Sequence, residues 1–147
     1  KGVDRNDWKY KQSDNYLKSI DKIKSYGISV NGCFILGFDT DTKDTFKETE
    51  QFIKASNLSE VQITLLTPFP GTNLYKQLKQ ENRLLTENYW DKCTLFDVNF
   101  IPKNFSVQEL ENSFQELMSD IYAVEAVKER KNKFGQTLKN KINALTI

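Results

Sequence analysis

GISVNGCFILG (residues 27–37) and EVQITLLT (residues 60–67) are the stretches whose reading decides the fold. In the first, Cys33, Phe34, Ile35 and Leu36 follow one another without a polar break, the pattern of a strand covered on both faces. The second is short, rich in β-branched and aliphatic residues and bounded by Pro68, which predicts a strand of about seven residues. Between them, DTDTKDTFKETEQFIKAS (residues 39–56) opens on Asp and Thr at cap positions. It sets Phe46, Thr49, Phe52 and Ile53 on one side of a helix and Lys47, Glu48, Gln51 and Lys54 on the other. Strand, helix, strand at this spacing is a βαβ unit, whose crossover places both strands parallel in one sheet.

Working outward, SDNYLKSIDKIKSY (residues 13–26) places Tyr16, Leu17, Ile20 and Ile23 at helical steps, with Ser13 as cap, Gly27 as terminator and an Asp14–Lys18 pair on the solvent face. On the other side, PFPGT leads into NLYKQLKQENRLL (residues 73–85), a helix capped by Thr72 that turns Leu74, Tyr75 and Leu78 inward, so the strand-then-helix rhythm repeats. In TLFDVNFI (residues 94–101), Phe96, Val98 and Phe100 alternate with Asp97 and Asn99, as in an edge strand or extended arm. Ser106 and Glu109 then form a capping box. Val107, Leu110, Phe114, Leu117, Ile121 and Val124 step by three and four, predicting a helix over 106–134 that Gly135 ends. Its stripe covers under about three heptads, so packing within the domain is expected rather than a coiled coil. A last amphipathic piece carries Leu138, Ile142 and Leu145. The class is α/β, with βα units over 1–92 and an extended arm plus long-helix extension over 93–147.

The chain has 147 residues, the size of one domain or a piece of one. Its 21 Lys and Arg nearly cancel 20 Asp and Glu, leaving +1, which excludes binding of nucleic acid by bulk charge. The basic run Lys128, Arg130, Lys131, Lys133, Lys139 and Lys141 reads as cations in solvent against a helix C-terminus. Mean hydropathy is −0.61, and no apolar run approaches the roughly 18 residues of a membrane-spanning helix. No membrane is expected as partner. Histidine is absent, which removes the commonest general base and metal ligand. Cys33 and Cys93 lie too far apart for a CxxC pair and read as reduced intracellular thiols, with one long-range disulfide as the alternative. Cys33, inside its apolar run, is expected to be a small buried hydrophobe. Neither an initiator Met nor a leader stands at Lys1, so the chain is expected to be cut from a longer cytoplasmic protein.

In parallel α/β sheets ligands bind beyond the carboxyl ends of the strands. Two loops qualify. Residues 37–42, GFDTDT, let backbone approach a ligand at Gly37 and offer carboxylates and hydroxyls, although Asp41 or Thr42 would serve equally as a helix cap. Residues 67–72, TPFPGT, offer free carbonyls and amides, although prolines fixing φ and a glycine of positive φ also suit a plain turn.

Taken together, GISVNGCFILG, FDTDT, the helix ending near Phe52-Ile53, ITLLTPFPGTNLYKQL, Arg83-Leu84-Leu85 and Trp90 resemble the C-terminal half of a radical S-adenosylmethionine (radical SAM) enzyme, with the cobalamin-binding subgroup the nearest likeness. Pro102-Lys103, then a Ser106-initiated helix with Glu109, Leu110 and Tyr122, resembles the subgroup's C-terminal extension. The resemblance spans residues 13–125, and its most specific element is the pairing of FILGFD with TPFPGT. It implies a fragment of a partial TIM barrel of six parallel βα units, of which this chain supplies about the fifth and sixth, followed by a helical extension. It also implies a 4Fe-4S cluster held by a CxxxCxxC loop. The cluster gives an electron to the sulfonium of S-adenosylmethionine and releases a 5′-deoxyadenosyl radical for methylation or a related rearrangement. That motif is missing here, so the fragment alone is expected to be inactive.

By the same resemblance Ile35, Gly37 and Asp41 would flank the adenosine, the pattern's opening glycine falling on Cys33 with Gly32 one place early. Leu66, Thr67 and Pro68 would meet the adenine through backbone groups. The expected partner is the rest of the parent chain. Truncated strands leave bare sheet edges, so the isolated fragment is expected to dimerise or exchange an element through them. The alternative is a non-catalytic α/β interaction module that docks a partner on the helix 106–134.

Overall fold

The computed structural model describes residues 13–145 apart from 57 and 88. The side chains behind the Ser13 cap, the Asp14–Lys18 pair and Leu145, and the first twelve positions of the 1–92 unit, lie outside the described residues. The elements are α1 (Ser13–Ser25), β1 (Asn31–Leu36), α2 (Lys43–Ala55), β2 (Glu60–Leu65), α3 (Asn73–Gln80), a 3-10 turn (Trp90–Lys92), α4 (Val107–Tyr122) and α5 (Val124–Leu145). β1 and β2 pair in parallel, from Asn31 opposite Glu60 to Leu36 opposite Leu65, so the βαβ unit forms as its sequence requires. Among the described residues the sheet holds these two strands, and the rest is mostly helical.

One face of the sheet is covered. Phe34 and Leu36 of β1 and Val61, Ile63 and Leu65 of β2 turn toward α2 and α4, which pack on each other. Gly32 shares that face, where a Cβ would stand 2.5 Å from Leu58 Cδ1, so a larger residue would have to displace the Leu58 side chain. The other face stays open at Asn31, Cys33, Ile35 and Gln62. This corrects the reading of β1 as covered on both sides: Ile35 is 52% exposed. It corrects Cys33 too, an exposed free thiol with Sγ 3.8 Å from Gln62 Oε1. An unbroken apolar run cannot report which of its alternate faces has a neighbour. Cys93 is also free, so the alternative of a long-range disulfide falls away.

The capping box of α4 is present: Glu109 N–H donates to Ser106 Oγ (3.1 Å) and Ser106 N–H to Glu109 Oε2 (2.9 Å). From there the helix buries Leu110, Phe114, Leu117 and Ile121, each contributing about 1.5–3 kcal/mol relative to exposure. It starts beside Gly37, whose added Cβ would meet Leu110 Cδ2 at 3.5 Å. It ends at the start of β2, where the Tyr122 hydroxyl donates to the Val61 carbonyl at 2.8 Å. The stretch of the stripe from Leu110 to Ile121, offered as a docking face, is therefore part of the core, while Val124 stands 60% exposed.

Three boundaries differ from expectation. The helix 106–134 breaks at Ala123 (φ −50°, ψ 140°), and α5 runs through Gly135 to Leu145. Packing of α5 on α1 carries it past the glycine: Lys24 lies over the Phe134 ring at 5.9 Å, and Leu138 and Lys141 flank Gly27. The basic run thus sits along a helix rather than at its end, with Lys133 paired to Glu129 at 2.7 Å. Residues 94–101 form no strand. Asn99 turns inward and donates to the Lys92 carbonyl at 2.8 Å, leaving one antiparallel bridge, Leu84 to Phe100. Lastly, α3 stops at Gln80 rather than near Leu85. Asn82 takes the left-handed conformation (φ 54°), Arg83 N–H donates to Leu78 O (2.8 Å) and Asn82 N–H to Lys79 O (3.1 Å), a Schellman ending. Among the described residues no helix is long and apolar enough to cross a membrane.

Candidate functional site

Because β1 and β2 are parallel and in register, the chain leaves both at the same end of the sheet. Leu66 N–H donates to Leu36 O at 2.8 Å, carrying the ladder one residue further, and Gly37 and Leu66 lie side by side where the loops begin. Gly37 takes φ +98°, closed to most L-residues. A cavity of about 350 Å³ opens between the loops and α3, lined by Phe38, Asp39, Leu66, Leu74, Gln77 and Phe100.

In the first loop, the Asp41 carboxylate accepts Gly37 N–H (2.8 Å) and Phe38 N–H (3.0 Å) through one oxygen. Burial pushes its pKa up, and the two amides partly oppose that. Its Oδ2 is engaged in holding the loop. The cap of α2 is Thr42, whose N–H donates to Thr45 Oγ1 at 3.0 Å. Asp39 faces Arg83: the guanidinium donates at 3.0 and 2.5 Å, and Lys103 Nζ stands at 2.9 Å. The hydrogen bond from Arg83 is the largest influence holding the Asp39 carboxyl below its usual range, while burial pushes the other way. Arg83 also donates from Nε to Ile101 O (2.7 Å) and from Nη1 to Glu81 Oε2 (2.8 Å), and lies 6.0 Å from the Phe100 ring centre. Asn104 Nδ2 donates to the carbonyls of Asp39 and Asp41, each at 3.0 Å.

In the second loop, Thr67 donates its hydroxyl to Leu65 O (3.1 Å), and its carbonyl accepts Phe69 N–H (3.0 Å). The Pro68 carbonyl accepts the Tyr89 hydroxyl at 2.8 Å, and burial pushes that phenol up to about 12. Thr72 caps α3 as expected, accepting Tyr75 N–H at 3.2 Å, and Gly71 supplies the positive φ (+90°) of the turn. Among the described residues the Leu66 carbonyl and the Thr67 amide take no hydrogen-bond partner.

The six sequence-derived positions thus gather at one end of the sheet: Ile35 on its open face, Gly37 and Asp41 in the first loop, Leu66, Thr67 and Pro68 in the second. Sequence reasoning counted Asp39 among the carboxylates of the first loop and quoted Arg83 and Lys103 only within the family resemblance; it missed that the three pair, and it missed Asn104. The available signal was Asn82, a residue suited to a left-handed helix end that fixes where Arg83 emerges. Among the described residues no group of three or more Cys, Asp or Glu side chains is placed to hold a metal ion.

A family model described as a domain of unknown function (DUF4070) matches residues 72–145. The chain is 31% identical, over 79% of its length, to the bacteriochlorophyllide d C-12(1)-methyltransferase of Chlorobaculum tepidum, covering 25% of that protein. It is 32% identical, over 71% of its length, to an uncharacterized methyltransferase of Pyrococcus horikoshii, covering 23% of it. It is 40% identical, over 49% of its length, to the hopanoid C-2 methylase of Rhodopseudomonas palustris, covering 14% of it. The chain spans a quarter or less of the length of these curated relatives. With the family model over half the chain and methyltransferases among its relatives, the chain belongs to the DUF4070 family, the C-terminal part of cobalamin-binding radical SAM methyltransferases.

Proposed function

We propose that this chain supplies the adenosine-side wall of the S-adenosylmethionine site in a cytoplasmic radical SAM methyltransferase, as the last βα units of a partial TIM barrel. The observation that carries this reading is the Leu66 carbonyl, unpartnered among the described residues, beside Gly37 at the carboxyl ends of two parallel strands. The Leu66 carbonyl and the Thr67 amide are the two ends of one trans peptide group and point opposite ways, so an adenine meets one of them: the Leu66 carbonyl can accept from the adenine amino group. The residues therefore fit the nucleoside. Bound S-adenosylmethionine supplies the methyl group and, once reduced, the radical. Gly37 lets backbone approach it, Ile35 walls its open-face side, and Asp41 and Pro68 hold the loops in place rather than touching it.

The 4Fe-4S cluster does not fit this chain, which has two cysteines, Cys33 and Cys93, and no histidine. Its ligands, like the cobalamin-binding part, belong to the rest of the parent protein, and the fragment alone is inactive. Two relatives are named for methylating bacteriochlorophyllide d and the C-2 position of a hopanoid, so methyl transfer to an organic acceptor is the reaction class we assign.

The test is S-adenosylmethionine binding by the full-length parent after anaerobic iron-sulfur reconstitution. Gly37→Val, which forces a β-branched residue into positive φ, is expected to weaken binding at least roughly tenfold, with the cluster's brown absorbance intact. Unchanged affinity would overturn the assignment. On the isolated chain, the outer edge of β2 is capped where Leu65 N–H meets Leu95 O (2.7 Å) and Tyr122 meets Val61 O, leaving β1 as the edge through which two copies pair. Light scattering showing only monomer at high concentration would remove the pairing.

A further inference from the structure

Both loops of the candidate site are tied from one stretch of chain. Arg83 and Lys103 grip the Asp39 carboxylate, Asn104 bridges two carbonyls of the same loop, and Tyr89 holds the Pro68 carbonyl of the other. All four residues lie within 72–145, the segment that matches the domain of unknown function. Asp39, its neighbours and Pro68 lie outside it.

We infer that this segment works as a clamp that sets the position of the two loops, with Arg83 as its positioning residue. The inference rests on the proposed reading of those loops as the S-adenosylmethionine wall. Arg83 suits the task because groups other than Asp39 also hold its fork. The Schellman ending at Asn82 aims it, Ile101 O and Glu81 hold its other donors, and the Phe100 ring backs its plane. Its side chain is 11% exposed against 32% for Asp39, so water reaches the pair mainly from the carboxylate side. A lysine would keep the charge and lose the two-point grip. The hydrogen bonds join side chains of this segment to the Asp39 carboxylate and to backbone carbonyls of the loops, so a displaced clamp moves the loops with it.

The experiment is amide hydrogen exchange on the full-length parent, comparing Arg83→Lys and Asp39→Asn with the unaltered protein. Exchange at Gly37, Phe38 and Asp41 is expected to speed by roughly tenfold in each variant, with the Ile63 and Leu65 amides of β2 unchanged. The double variant is expected to add little to either single one, because the two residues act as one pair. Unchanged loop exchange in both single variants, or full additivity in the double, overturns the clamp. Asp39→Asn leaves the bonds of Arg83 to Ile101 and Glu81 in place and serves if Arg83→Lys fails to fold. Equilibrium dialysis with S-adenosylmethionine on the same variants separates the two claims. Faster loop exchange with unaltered affinity upholds the clamp and sinks the wall. Weaker affinity with unaltered exchange sinks the clamp.

Discussion

The loop after β1 is held by charge and the loop after β2 by neutral groups. In the first, a guanidinium and an ammonium meet Asp39, and the buried carboxylate of Asp41 gathers two amides. In the second, Pro68 and Pro70 stiffen the backbone, a threonine hydroxyl folds back on Leu65, and a phenol closes the Pro68 carbonyl. Both begin one residue beyond paired strands, so the strands do not explain the difference. What does is the stretch between Gly37 and its helix: five positions without proline need outside ties, whereas prolines restrict φ in advance and need fewer.

The change that removes the distinction altogether is Leu110→Asp. Leu110 is fully buried, packs against the Gly37 position and belongs to the stripe that supports the sheet. An unpaired charge there is expected to cost about 4 kcal/mol or more, releasing both loops together in one unfolding transition. A denaturation midpoint within the range of surface variants would show that α4 is dispensable, and would restore the docking role for it.

Next in size is a change confined to the charged loop. Asp41→Ala leaves the Gly37 and Phe38 amides without their acceptor, expected to cost about 2–3 kcal/mol in chemical denaturation. Asp41→Asn keeps an oxygen acceptor and removes the charge that burial disfavours, so it is expected to fall within about 1 kcal/mol of the parent chain. Equal losses in the two variants would show that the negative charge itself, and not the acceptor, holds the loop.

How far the sequence made this legible follows from the range of each interaction. Local signals sufficed for the βαβ unit, for the Thr72 cap and for the Ser106–Glu109 box, since each depends on residues within one turn. The stripe of α4 announced its four buried residues through spacing alone. Cys33 and Ile35 were misread because burial on one face depends on a neighbour that the local run does not encode. Asp39 and Arg83 stand 44 positions apart, and two charged residues in polar stretches carry no periodic signature. The break at Ala123 escaped for a related reason: α5 changes direction to reach α1, a partner about a hundred residues earlier in the chain, and Gly135 gave a stop signal that tertiary packing overrode.

The finest distinction between the loops is their response to pH and to one hydroxyl. Tyr89→Phe leaves the Pro68 carbonyl unpartnered and is expected to cost about 1 kcal/mol, loosening the second loop and sparing the first. The phenol's pKa rises to about 12 in the fold, so its contribution is whole below its ordinary value of 10.0 and is lost as pH climbs through about 12. Asp39 behaves oppositely. Its carboxyl is held below 3.8, so the pair contributes fully above that value and fades as pH drops through the lowered one. Asp41, raised by burial, is favoured in its protonated form, so acidification through its range relieves the first loop before Asp39 begins to release it. The amide resonances of Gly37 and Phe38 should therefore shift at the acid end, and those of Thr67 and Phe69 at the alkaline end as Tyr89 ionises. A common midpoint for both sets would mean that the two loops move as one body, and that charge in one and neutrality in the other make no difference to how they open.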